Sequence, residues 1–197
     1  MKAISHTLFV LSFLFFIVNI NAQTNINRET VGILHIDAQG LPFDAEQLGN
    51  LTRIELAKLE IYNVIDRYDI EYLIKKNNIN PGECFGKNCL IEAGRKIQAD
   101  KMLTGSVEVL GEKILVNLRL IDVVTGKTER SQILEFLDLK NQVQAMIGLA
   151  VAKMLEQNID QDLMKKLTEE YDYESSVNNP TIDQIQLNGP RMGLTVF

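Results

Sequence analysis

Few residues in this sequence have the types and spacing that chemistry requires. His35 and Asp37 lie two positions apart, so on a strand they would point to the same side and could transfer a proton. No nucleophile or third member accompanies them, so a histidine packed near the end of a strand is the better interpretation. We therefore expect a protein that is not an enzyme, with no catalytic residues, no cofactor, no metal and no evident small-molecule substrate.

Three other motifs look chemical but occur in the wrong context. Thr125–Thr128 (TGKT) resembles the end of a phosphate-binding loop, but no glycine stands five residues before Gly126, and the segment joins two predicted strands. It therefore predicts a hairpin turn. Asp66 and Arg67 are the last two residues of a predicted strand and favour an ion pair or a turn over a site. Asn50–Thr52 matches a glycosylation acceptor, yet it lies inside a predicted helix, so we do not expect glycosylation.

The N-terminus is typical of a secretory signal peptide. Lys2 precedes an apolar segment, Leu8–Ile20, and small or polar residues follow it. We expect cleavage near Ala22, which assigns residues 1–22 to the signal peptide. A membrane anchor is the alternative, although a stable span needs roughly 20 apolar residues and this segment is shorter. No cysteine stands at the cleavage point, so a lipid anchor is not indicated.

The two cysteines, Cys84 and Cys89, are five positions apart. In an oxidising compartment this spacing favours a small-loop disulfide over free thiols. A metal site is a competing interpretation, but His35 is the one histidine after the signal peptide and nothing else has zinc-finger spacing. A redox pair is less well supported because the spacing is not Cys-x-x-Cys.

Composition bounds the size and the partners of the folded part. The chain has 197 residues, of which 46% are hydrophobic, which suits one domain, predicted at residues 28–170. The net charge of -6 and a pI near 5.0 provide no basic surface for nucleic acid. Residues 171–197 change character, from a polar linker to an apolar, strand-like tail. The tail could add to a sheet edge, contact a membrane or lead into a further segment.

The fold prediction rests on Lys101–Leu137, which has the pattern of three antiparallel strands. Apolar residues alternate in its middle segment, which indicates one buried face. Gly111–Glu112 and Thr125–Gly126 separate the segments and favour tight turns. Helices elsewhere in the chain are expected to cover the apolar face. The alternating residues are Ile114, Val116, Leu118 and Leu120.

Upstream of this meander, the pattern predicts a parallel strand–helix–strand unit. A strand over Val31–Asp37 is followed by a helix to about Leu59, which Asp44 and Gln47 begin as a capping box. The next strand is predicted at Ile61–Arg67. The remaining predictions are a helix at Tyr68–Lys76, a loop at Asn77–Lys87, a helix capped by Asn88, and a helix capped by Asp138 that extends to about Glu170. The fold class is α/β, a single domain with a mixed sheet flanked by helices.

In this order, the segments resemble a bacterial envelope superfamily that includes the curli secretion channel CsgG, the penicillin-binding-protein activator LpoB and the N-terminal domain of TolB. The resemblance runs from about Val31 to Leu155 and is carried by VGILHID, YNVIDRYDIEYLIKK, NCLIEAGRKIQADKMLTGSV and LVNLRLIDVVTGKTERS. Its best-matching positions mark turns and strand ends: Asp66, Arg67, Asp100, Gly105, Asp122 and Gly126.

The resemblance implies an α/β domain in the periplasm of a two-membrane bacterium, acting by docking. We expect a non-enzymatic interaction or assembly domain that binds another envelope protein, as an adaptor or an activator of a penicillin-binding protein. The alternative is a subunit of a CsgG-like outer-membrane secretion or assembly complex, which would form a homo-oligomer and associate with the membrane through residues 182–197. The chain lacks the lipidated cysteine of the channel and activator branches.

Overall fold

A computed structural model describes residues 28–169. The predicted signal peptide (1–22) and the predicted tail (171–197) lie outside the described residues. Within residues 28–169, six strands and five α-helices form one α/β domain with a mixed sheet, which confirms the predicted fold class.

The strands are β1 (Thr30–Gly32), β2 (Asp37–Gln39), β3 (Asn63–Val64), β4 (Lys101–Leu110), β5 (Lys113–Asp122) and β6 (Thr128–Leu137). The helices are α1 (Ala45–Lys58), α2 (Arg67–Lys76), α3 (Lys87–Ile97), α4 (Val143–Met154) and α5 (Gln161–Thr168). Short 3₁₀ turns lie at Pro81–Glu83 and Lys140–Gln142. The sheet order is β3-β1-β4-β5-β6, and β2 pairs with the far part of β4.

The predicted meander is present. Leu110 pairs with Lys113 across a two-residue turn in which Gly111 has φ +63°, a left-handed conformation that glycine adopts without strain. The four alternating residues of β5 are all fully buried, as expected for one apolar face. Leu120 and Ile121 are both buried because consecutive strand residues point to opposite faces, and a core cluster covers each face there. The sequence pattern did not predict the register shift between them, where the pairing on β6 moves from Arg130 to Thr128 and leaves out Glu129.

Helices cover both faces of the sheet. On one face α1, α4 and α5 pack over the meander in the larger core cluster, whose centre includes Leu48, Leu118, Phe136 and Ile147. On the other face α2 and α3 pack over the ends of β4 and β5 in a smaller cluster with Ile70, Ile97, Met102 and Ile121. Because β1 and β3 are parallel and joined through α1, the predicted strand–helix–strand start is confirmed.

The two predicted upstream strands are shorter than expected. The segment Val31–Asp37 is interrupted, with β1 ending at Gly32 and β2 beginning at Asp37. The strand predicted at Ile61–Arg67 is only Asn63–Val64. Asp66 is instead the N-cap of α2, because its carboxylate accepts a hydrogen bond from the Asp69 amide at 2.9 Å.

Helix starts were predicted with mixed success. The capping box of α1, in which Asp44 and Gln47 bond reciprocally, is confirmed. The predictions for Asn88 and Asp138 were wrong: α3 begins after Gly86, and Asp138 accepts a hydrogen bond from Lys140 before the chain makes a 3₁₀ turn. The helical pattern to Glu170 is split into α4 and α5, since Glu156 takes φ +57° and Asp160 starts a new helix.

Candidate binding site

The main chain between β1 and β2 bulges. Residues 33–36 lie opposite only three residues of β4, 103–105, so one extra residue must be accommodated. A bulge leaves main-chain groups without partners on the neighbouring strand. Arg53 of α1 supplies hydrogen-bond partners for two of these groups. Its Nη2 donates to the Ile33 carbonyl oxygen at 2.8 Å and to the Leu34 carbonyl oxygen at 3.1 Å. The bulge is therefore held by a side chain from the covering helix.

Arg53 is a buried cation with unused donors. Arg53 is only 4% exposed, and its Nε and Nη1 have no hydrogen-bond partner within residues 28–169. Burial lowers the pKa of the guanidinium, while the nearby Glu46 carboxylate raises it. An arginine keeps its proton under these conditions, so a positive charge lies in the interior, and no carboxylate of the described residues forms an ion pair with it.

His35 lies at the centre of the bulge and packs edge-on against Phe85, with 4.0 Å between ring centroids. It is 4% exposed, and neither ring nitrogen has a hydrogen-bond partner in the described part of the chain. Burial lowers its pKa, and the charge of Asp37 only partly opposes this. Asp37 itself accepts a hydrogen bond from Gln39, so the structure does not join His35 and Asp37 as a proton-transfer pair.

A cavity of about 270 Å³ lies between α1 and α2, beside the segments that follow β1 and β3. Arg53 and His35 form part of its wall. The rest of the wall is largely apolar: α2 contributes Ile70 and Ile74, and the loop after α2 contributes Phe85. An apolar cavity with a few polar groups is the usual form of a small-molecule site.

Charged side chains line the cavity near solvent. Arg67, the first residue of α2, contacts Glu46 and Glu71, each at 2.9 Å, and these hydrogen bonds and charges raise the pKa of Arg67. Lys75 also lines the cavity. With Arg53, the lining holds three cations and two carboxylates, so it has one excess positive charge. Asp66 and Arg67, predicted as an ion pair or a turn, have separate roles as a cap and a cavity residue.

A disulfide fixes the loop that closes one side of the cavity. Cys84 and Cys89 are bonded, with their Cα atoms 5.4 Å apart. Cys84 is fully buried in the smaller core cluster, which anchors the loop beside α3. Phe85 follows Cys84 directly, so the disulfide also holds the Phe85 ring against His35. The bond thus has a structural role beside the candidate site.

The other predicted positions are structural and lie away from the cavity. Asp100 accepts a hydrogen bond from the Thr30 amide at 2.7 Å, which ties β1 to the start of β4. Asp122 accepts from the Thr125 amide, and this bond lowers the pKa of Asp122. Gly126 takes φ +68° in the same turn. At Gly105, an added Cβ would overlap the Asn117 carbonyl oxygen of β5, so only glycine fits this approach.

A buried lysine closes the end of the sheet where these turns lie. The Lys101 Nζ contacts Glu129 at 2.6 Å, Glu29 at 3.2 Å and Asp122 at 3.5 Å. Burial acts to lower the pKa of Lys101, but the hydrogen bonds and charges of Glu129 and Glu29 outweigh it and raise the pKa well above its usual value. The one cation therefore faces three carboxylates, so it is fully paired while the cluster keeps an excess of negative charge.

One part of the sheet is not covered by the described helices. Side chains from β4, β5 and β6 share this face in directly paired rows, and its apolar members belong to neither core cluster. Leu110 and Ile133 are each 56% exposed, and Leu115 is half-buried between them. We call this surface the open sheet face; its residues are Ser106, Glu108, Leu110, Lys113, Leu115, Asn117, Arg119, Ser131, Ile133, Glu135 and Leu137.

Sequence reasoning missed Arg53 and Phe85. An arginine on an amphipathic helix has the composition of a solvent-facing residue, and the one available signal was its position within the stripe of Leu48, Thr52 and Leu56. Thr52 is fully buried and donates to the Leu48 carbonyl oxygen at 2.8 Å, so the glycosylation motif at Asn50–Thr52 lies on a packed helix.

Within residues 28–169, no group of three or more metal-binding side chains comes together. In the same range, the helices are each too short or too polar to cross a bilayer.

Comparison with known proteins gives structural neighbours only. No known protein family matches the sequence, and no curated protein does so. The fold is similar to the LpoB C-terminal domain from Salmonella enterica, with a TM-score of 0.47 and 13% identity over 63% of this chain and 90% of that one. A PelC dodecamer from Paraburkholderia phytofirmans gives a TM-score of 0.44 and 17% identity, over 66% of this chain and 86% of that one. TolB from Acinetobacter baumannii gives a TM-score of 0.42 and 11% identity, over 65% of this chain and 28% of that one.

Proposed function

We propose that the protein is a non-enzymatic interaction domain of the bacterial envelope, which binds another envelope protein through the open sheet face. The observation that carries this proposal is the set of apolar side chains on that face that pack into neither core. Leu110, Leu115, Ile133 and Leu137 belong to it. The envelope location is supported by the predicted signal peptide and by the motif resemblance described above.

The open sheet face has the composition of a reversible protein interface. Its rows pair Glu108 with Leu115 and Leu115 with Glu135, so apolar and charged side chains alternate across the strands. Non-obligate interfaces combine apolar contacts with a polar rim in this manner. Lys113 and Arg119 add cations to the same face, so the partner surface should itself carry both signs of charge.

The edge of the sheet offers a second element of recognition. Among the described residues, β6 pairs only with β5, so one side of a ten-residue strand has main-chain groups available. Such an edge can accept an extended segment of a partner as an added strand. Glu129 and Glu135 on β6 discourage indiscriminate pairing, because edge charges oppose aggregation.

The test is site-specific photo-crosslinking in the bacterial envelope. A photoreactive residue at Ile133 should capture one defined partner, whereas the same residue at Val124, which is 82% exposed but lies in the β5–β6 turn, should not. Ile133→Asp should abolish the crosslink formed from a second position on the face, such as Leu110, without lowering stability by more than about 0.5 kcal/mol. Equal capture from Ile133 and Val124 would contradict the assignment of this face.

The identity of the captured protein separates the two functional hypotheses. A cell-wall synthase or another envelope protein would indicate an activator or adaptor. Capture of the same chain in a ring-sized species would indicate the alternative, a subunit of a secretion or assembly complex.

A further inference from the structure

We infer that the cavity between α1 and α2 binds a small organic carboxylate with an apolar body, whose carboxylate accepts a hydrogen bond from Arg53. This goes beyond the proposed function, because the cavity and the open sheet face share no residue.

The size of the cavity sets the size of the ligand. An engineered apolar cavity of about 150 Å³ is known to hold one benzene molecule, and sites for drug-sized ligands begin near 300 Å³. At about 270 Å³, this cavity suits a molecule of roughly one aromatic ring with a short acidic chain. Ile70, Ile74 and Phe85 supply the apolar contacts for the body of such a ligand.

The charge of the ligand follows from Arg53. Two donors of a buried guanidinium, Nε and Nη1, have no partner in residues 28–169, and burial of an unpaired cation is unfavourable. The charges of Glu46 and Glu71 favour the guanidinium only from a distance, since both carboxylates bond Arg67 and neither fills the open donors of Arg53. Because Nε and Nη1 have almost no exposed surface, a ligand carboxylate reaches them only after a small movement of the cavity wall. It would then supply the missing negative charge through charge-assisted hydrogen bonds, which are the strong class.

His35 adds a second polar group beside the same wall. Its ring is buried and neither nitrogen is bonded, so the neutral imidazole has one N–H to donate and one acceptor to fill. Both nitrogens have almost no exposed surface, so the ring must turn slightly toward the cavity before a carboxylate held by Arg53 can accept that N–H. A hydrocarbon ligand would leave both groups unsatisfied. The cavity therefore distinguishes an acid from an apolar molecule of the same shape.

The experiment is a titration of the purified exported protein, disulfide intact, with phenylacetate and with its neutral analogue phenylacetamide. Binding is followed by calorimetry and by the NMR amide signals of the bulge and the 81–86 loop. We expect saturable binding of phenylacetate, at least about tenfold tighter than that of phenylacetamide, because one charge-assisted hydrogen bond is lost.

Two matched variants locate the site. Gly82 lines the cavity and has room for a side chain, since a Cβ added there would lie 3.6 Å from the nearest atom, so Gly82→Phe should fill the cavity and weaken binding at least about tenfold. Gly86 lies on the same loop with open space around it and does not line the cavity, so Gly86→Phe should bind as the wild type does. Ile74→Trp fills the cavity from α2 and serves if Gly82→Phe does not fold.

Four results would overturn the inference. They are the absence of saturable phenylacetate binding, equal affinity for phenylacetamide, unchanged affinity in both cavity-filling variants, and equal loss of affinity in Gly86→Phe. Because the photo-crosslinks of the open sheet face are measured separately, failure here leaves the proposed function intact, and the reverse also holds.

Discussion

Replacement of Arg53 by methionine tests whether the buried cation stabilises the fold or weakens it. Arg53→Met removes two hydrogen bonds, at 2.8 and 3.1 Å, and leaves the Ile33 and Leu34 carbonyl groups buried without partners. Each orphaned group costs about 1–3 kcal/mol. Methionine keeps most of the apolar stem of the side chain and removes a desolvated charge, which offsets part of this loss. We expect a net destabilisation of about 2 kcal/mol.

The measurement is urea unfolding followed by circular dichroism, with the slope m unchanged. Arg67→Met is the matched control, because Arg67 is half-exposed and its contacts with Glu46 and Glu71 are surface ion pairs. Its effect should stay within about 1 kcal/mol. If Arg53→Met were as stable as the wild type, or more stable, the cost of burying the charge would equal or exceed the value of its hydrogen bonds, and the prediction that Arg53 stabilises the fold would be refuted.

Three further predictions concern stability. Gly105→Ala should destabilise the fold by at least about 2 kcal/mol, because the added Cβ would overlap the main chain of the neighbouring strand. Gly86→Ala is the control: it lies in open space and should change stability by less than about 0.5 kcal/mol. Urea unfolding measures both. Since burial lowers the pKa of His35 in the folded state, the unfolded state takes up its proton first as pH falls below about 6.5, so stability should decrease from pH 7 to pH 5. His35→Gln should flatten that decrease in thermal unfolding, and an unchanged slope would argue against it. Joint replacement of Cys84 and Cys89 by serine should cost about 2 kcal/mol, as expected for a short loop; an unchanged midpoint of unfolding would contradict a stabilising bond.

The sequence predicted those parts of the fold whose pattern is local. Period-2 alternation in β5, two glycine-containing turns and the Asp44–Gln47 box each depend on neighbours within a few residues, and all three are present. The parallel strands were predicted at too great a length. An apolar run such as Val31–Asp37 is equally compatible with a continuous strand and with a buried bulge, and only tertiary contact with Arg53 decides between them.

The cavity could not be predicted for a similar reason. Arg53, Ile70 and Phe85 come from three separate elements, and no spacing in the sequence connects them. Asp66 shows the opposite case, since an aspartate before a helical pattern is a strong cap signal that the strand prediction overrode. Assignment of that cap would have placed Arg67 at the start of α2.

The strand order has a consequence for how the chain folds. Each strand of the meander pairs with the next along the sequence, but β1 pairs with β4, so that Val31 meets Lys101. Closing a loop of that length has a larger entropic cost than forming a hairpin, and contacts between distant residues form late. We expect the β4–β6 meander with α4 to form first and β1 to dock onto it afterwards. In pulse-labelled hydrogen exchange, the amide of Val116 should become protected before that of Ile65, which donates to the Val31 carbonyl oxygen.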